Sequence, residues 1–124
     1  MADKRPKNEL FFLEDILECI DKILEYVEFI SEVDFEGNSE KQDAVIRRIE
    51  IIGEAVKNIS IETRSQYPDI SWREIAGMRD MVIYEYFGIT MGLVWKFTTS
   101  DIPKLKLQIE KIIEDKYPSI DNQL

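Results

Sequence analysis

Residues 13–30 read LEDILECIDKILEYVEFI. Their apolar side chains stand at Leu13, Ile16, Leu17, Ile20, Ile23, Leu24, Val27 and Ile30, in steps of three and four. That spacing gathers them on one face of an α-helix, because each residue turns the chain by about 100°. The pattern predicts one long helix from Asn8 to about Val33. A second stripe, Phe12, Cys19 and Tyr26, widens the apolar face beyond what a single neighbour would cover. Packing against several elements, another chain among them, is expected. Cys19 lies within this stripe and reads as a core thiol rather than a nucleophile.

Working outward, Phe35-Glu36-Gly37-Asn38 breaks the pattern with turn residues. Ser39-Glu-Lys-Gln42 has the form of a capping box opening the next helix. Its stripe of Val45, Ile49, Ile52, Val56 and Ile59 extends to Ser60. A short helical turn is expected over Ile61 to Tyr67, ended by Pro68. Ser71-Trp72-Arg73-Glu74 offers another capping box, for a helix reaching roughly Tyr86 and closed by Gly88. A brief helix from Thr90 or Met91 passes through Trp95 and Phe97. Pro103 suits the first turn of a last helix capped by Ser100 or Asp101, with its stripe at Leu105, Ile109, Ile112 and Ile113. No stretch sustains the period-two alternation of a strand. The expected fold is all-α, an up-and-down bundle of four main helices with one or two short ones, in a single domain over residues 1–124.

Composition narrows the chemistry. The 124 residues carry 16 basic and 25 acidic side chains, a net charge of -9, and no histidine. An excess of carboxylates disfavours nonspecific binding of a polyanion. Without histidine, Ser-His-Asp and Cys-His catalysis and His-ligated zinc are excluded. The acidic residues have no spacing that marks a metal site, and no metal or cofactor is expected. A single cysteine and the lack of a long apolar run point to a soluble, cytoplasmic protein with no membrane association and no signal peptide. The acid excess is local: residues 1–40 hold 4 basic and 12 acidic side chains, residues 41–80 hold 7 of each. Five of the six arginines fall in that middle third (Arg47, Arg48, Arg64, Arg73 and Arg79). They make either solvated helix faces or an arginine-bearing surface for phosphates, since guanidinium suits bidentate phosphate contacts. Arg47, Arg48 and Arg73 are the candidates for phosphate contact.

The stretch Trp72-Arg-Glu-Ile-Ala-Gly-Met-Arg79-Asp80, continuing to Tyr84-Glu-Tyr86-Phe-Gly88, resembles the HepT-like toxins of the HEPN superfamily. Ala44-Val-Ile-Arg-Arg-Ile-Glu-Ile-Ile-Gly53-Glu54-Ala55 is similar to the same family's second helix, and Val94-Trp95 with Asp101-Ile-Pro103-Lys-Leu105 fits downstream. The resemblance implies a homodimeric, metal-independent ribonuclease whose cleft is built by both chains. It also implies a partner, a nucleotidyltransferase antitoxin of the MNT type, which transfers AMP from ATP onto the motif tyrosine. The family motif is arginine, four residues, histidine, one residue, tyrosine. Arg79 and Tyr86 fill its ends, so Tyr86 would be the AMP acceptor. Tyr84 stands at the histidine place.

That replacement bears on activity. Cleaving RNA without metal requires a base for the ribose 2′-hydroxyl, an acid for the leaving oxygen and a cation on the phosphorane. Arg79 supplies the cation, and Asp80 beside it is a further catalytic candidate. Tyrosine titrates near 10, so about one phenol in a thousand is anionic at neutral pH and Tyr84 is a poor base. Activity well below that of a histidine-bearing relative is expected. The competing reading is a catalytically silent HEPN dimer that binds a nucleotidyltransferase or RNA. On one helix Arg79 and Tyr86 would lie about 20° apart, with Tyr84 about 140° from Arg79. Glu54, set among small residues, reads as a packing position. Trp72 and Trp95 read as core anchors, and Gly88 and Gly92 are too isolated to cradle phosphate.

Overall fold

The computed structural model describes residues 8–84 and 91–118, and among these residues all regular structure is helical. Four long helices carry the fold: α1 (Glu9–Val27), α3 (Ser39–Val56), α5 (Trp72–Tyr84) and α7 (Ile102–Lys116). Between them lie the short α2 (Glu32–Glu36), α4 (Ile61–Gln66) and α6 (Met91–Lys96). A π turn, Phe97–Asp101, joins α6 directly to α7. Helix α3 packs on α1 at one side and on α5 at the other, and α7 lies along the remaining flank of α1. The periodic stripes are the core: Leu13, Ile16, Ile20 and Ile23 meet Val45, Ile49, Ile52, Val56, Ile102, Ile109 and Ile112, all essentially inaccessible. Burying each such side chain stabilises the fold by about 1.5–3 kcal/mol.

The first helix is shorter than its stripe. It stops at Val27, and Phe29 adopts a positive φ of 66°, which reverses the chain before Ile30. A new N-terminus then forms at Ser31: its Oγ accepts from the Asp34 amide while the Asp34 carboxylate accepts from the Ser31 amide. This reciprocal cap satisfies two otherwise orphaned donors, and the hydrophobic period cannot reveal it because Val27 and Ile30, three apart, keep the apolar rhythm across the break. Phe35 is therefore no turn residue. It is fully buried, with its ring 5.4 Å from that of Trp95.

The start of α3 also departs from expectation. Asn38, not Ser39, is the cap: its Oδ1 accepts from the Lys41 amide at 3.0 Å. Gln42 does not reach Ser39 but donates to the Phe35 and Glu36 carbonyls, closing the end of α2. Helix α3 ends at Val56 rather than running to Ser60, and the Arg64 guanidinium covers that end, donating to the Val56 and Ile59 carbonyls at 2.9 and 3.0 Å. Asp101 makes no side-chain cap at α7, because the π turn carries helical backbone through it and removes the free N-terminus. The expected end of α5 at Tyr86 and Gly88, and a start at Thr90, fall outside the described residues.

Trp72 is buried and its indole donates to the Tyr67 carbonyl, while Trp95 is half-buried against Phe35, so both act as anchors. No helix among the described residues is long and apolar enough to cross a membrane.

Candidate functional site

Glycine places the site. A Cβ at Gly53 would lie 2.3 Å from the Cβ of Arg79, so the absence of a side chain lets α3 and α5 touch at that level. The stem of Arg79 fills the contact and its guanidinium emerges beside the next residue of α3. Arg79 Nε stands 3.4 Å from Glu54 Oε2, and Nη1 donates to Asp80 Oδ1 at 3.0 Å. Lys57, the residue just past the end of α3, approaches the same Asp80 oxygen at 3.8 Å. The four groups form an alternating chain of charge, Glu54, Arg79, Asp80 and Lys57, across the α3–α5 seam.

This chain borders a cleft of about 320 Å³, lined by Phe12 and Asp15 of α1, Arg47, Glu50, Ile51, Glu54 and Ala55 of α3, Asn58, and Arg79. Arg79 is about one-third exposed and Glu54 more than half, so both are reachable from solvent. Arg47 is exposed and pairs with Glu50 at 3.3 Å. Two guanidiniums and three carboxylates thus share one cavity, which can hold a phosphate once the carboxylates yield their partners.

The candidates from sequence separate in space. Arg79, Asp80 and Arg47 gather at this cleft or its rim. Arg48 turns the other way, toward α1, with Nη1 3.8 Å from Cys19 Sγ and a hydrogen bond to Tyr26. Cys19 is buried, and that burial raises its thiol pKa despite the nearby guanidinium. Arg73 stands exposed on the first turn of α5, and Arg64 is engaged at the end of α3. The sequence pattern could not sort these arginines, because each direction depends on which helix lies opposite. Tyr84 is the last residue of α5, and Tyr86 lies outside the described residues. Glu54 is the residue undervalued by sequence reasoning: Gly53 does the packing, and Glu54 projects into the cleft. The signal available was its place next to a helical glycine facing the motif arginine.

Comparison with known proteins settles the lineage. The family model for HepT-like ribonucleases ("Ribonuclease HepT-like") matches residues 16–112. The chain belongs to the HepT-like ribonuclease family. It is 46% identical over 101 residues to "Probable ribonuclease HepT" of Thermococcus cleftensis, covering 82% of this chain and 92% of that protein. It is 41% identical over 120 residues to "Putative RNase MJ1216" of Methanocaldococcus jannaschii, covering 96% and 99% respectively. A third relative, "Gamma-glutamylcyclotransferase and putative RNase MJ0434" of the same archaeon, is 50% identical over 109 residues. The match covers 88% of this chain and 49% of that protein, so the chain spans about half the length of this relative. No solved structure matches the chain.

Proposed function

We propose that this HepT-like chain is the toxin subunit of a toxin–antitoxin pair, a metal-independent RNA endonuclease that acts as a homodimer. Its activity is weak because Tyr84 stands where the family motif has histidine. The observation that carries this reading is the position of Arg79. Its side chain is anchored at the Gly53 contact and its guanidinium opens onto a polar cleft, where it can hold a phosphoryl oxygen. The partner in this reading is an MNT-type nucleotidyltransferase that silences the chain by moving AMP from ATP to Tyr86.

The absence of histidine favours one alternative, a silent dimer that binds the nucleotidyltransferase or RNA. Incubating the chain and its Tyr84→His variant with single-stranded RNA in EDTA separates the two. Faster cleavage by the variant, abolished by Arg79→Ala, supports the ribonuclease; no cleavage by any form, with tight binding to a nucleotidyltransferase, supports the silent dimer. Intact mass after incubation with that partner and ATP tests the modification. An unchanged mass, or AMP on a residue other than Tyr86, removes it.

A further inference from the structure

We propose that Glu54 is the base of a histidine-free cleavage site, taking the proton from the RNA 2′-hydroxyl while Arg79 holds the phosphate beside it. This rests on the ribonuclease reading above and adds the group that the motif lacks. The chain contains no histidine, so the base must be another side chain or solvent. The cleft offers three carboxylates, and two of the four acids near Arg79 are otherwise committed. Glu50 pairs with Arg47, away from the motif arginine, and Asp80 is shared between Arg79 Nη1 and Lys57; Glu54 is paired as well, but with the motif arginine itself, the group that would hold the phosphate. Asp15 projects from α1, whereas Glu54 meets the motif arginine directly at 3.4 Å with its side chain more than half exposed. A base and a cation side by side suit this chemistry, because the attacked phosphorus carries both the oxygen to be neutralised and, two bonds away, the ribose that bears the nucleophile.

The step balances without a cofactor. Glu54 accepts the 2′-hydroxyl proton, the 2′-oxygen forms a bond to phosphorus, and the bond from phosphorus to the 5′-oxygen breaks. The departing oxygen takes a proton from water. The products are a 2′,3′-cyclic phosphate and a 5′-hydroxyl, and Glu54 returns its proton to solvent. Arg79 keeps its charge throughout and neutralises the phosphorane. Asp80, itself approached by Lys57 from the end of α3, positions Arg79.

The test measures single-turnover cleavage of a 5′-labelled single-stranded RNA in EDTA from pH 4 to 9, with a fully 2′-deoxy oligonucleotide as control. The unmodified chain is expected to cleave RNA alone, leaving a cyclic phosphate, with a rate that rises through the acid range and then levels. Glu54→Gln is expected to lose about 100-fold or more and to flatten the acid limb. A melting curve reports that the near-isosteric variant is folded, and Glu54→Asp is expected to restore part of the rate and the limb. A Glu54→Gln variant that keeps the rate and the pH profile overturns the proposal. So does an unmodified chain without activity. If Tyr84→His then cleaves and Arg79→Ala abolishes it, the ribonuclease reading stands while the role of Glu54 falls; if no form cleaves, both fall.

Discussion

Adding the same methyl group at two helical glycines is expected to have different consequences. At Gly77, on the outer side of α5, a new Cβ meets nothing within 4 Å. Gly77→Ala removes chain entropy from the unfolded state and is expected to stabilise by about 0.5–1 kcal/mol. At Gly53 the new Cβ would stand 2.3 Å from Arg79 Cβ and 3.1 Å from its Cγ. Carbon atoms pack at about 3.5–4.0 Å, so the helices must separate by about 1 Å. The clashing atom is next to the backbone and cannot swing aside. Overpacking of this kind costs about 1–3 kcal/mol, against about 1 kcal/mol gained from replacing glycine in a helix. Gly53→Ala is therefore expected to be less stable than Gly77→Ala by about 1–3 kcal/mol, or roughly 4–12 °C in midpoint for a domain of this size. Thermal unfolding at one fixed protein concentration reads the difference directly, which matters if the chain self-associates. If the two alanine variants melt within about 2 °C of each other, the close approach is not what holds α3 to α5, and the anchoring of Arg79 loses its basis.

Three further outcomes follow from polar groups in or beside the core. Thr98 lies fully buried in the π turn and its hydroxyl makes no hydrogen bond, so Thr98→Val is expected to raise stability by about 1 kcal/mol; a lower midpoint would show that the hydroxyl has a partner. Burial works against ionisation of Glu9, but hydrogen bonds from Thr63 and Ser60, with Lys116 nearby, outweigh it and lower its pKa. Its contribution to stability is thus present above the unfolded carboxylate range near pH 4 and is lost as pH falls through the folded value. Glu9→Gln should unfold earlier than the parent in urea at pH 7, with the gap closing toward pH 3; a gap that widens in acid would reverse the sign. Arg64→Ala uncovers the Val56 and Ile59 carbonyls at the end of α3 and should cost about 1–3 kcal/mol in the same urea titration, whereas no loss would mean that water replaces the guanidinium without penalty.

The apolar stripes were legible because they obey a local rule. Leu13, Ile16, Ile20 and Ile23 are three or four apart, and they are buried. The family was legible in Arg79 and the residues around it, since a short motif survives without tertiary knowledge. Local rules failed where two local signals competed. Ser39 and Asn38 are both good caps, and the positions of Phe35 and Gln42 chose Asn38. Val27 and Ile30 continue one stripe, and the reversal at Phe29 overrides it.

Linear order was enough to establish an all-α fold, the core positions of the long helices, the lineage and the missing histidine, because each depends on residue type and spacing alone. Which arginines face the cleft was decided in three dimensions. Arg48 and Arg47 are adjacent, yet one turns to Cys19 and the other to Glu50, since neighbouring side chains on a helix diverge by about 100° and meet different elements. The pairing of Glu54 with Arg79 spans two helices that touch only because residue 53 has no side chain, and no spacing along the chain encodes that contact.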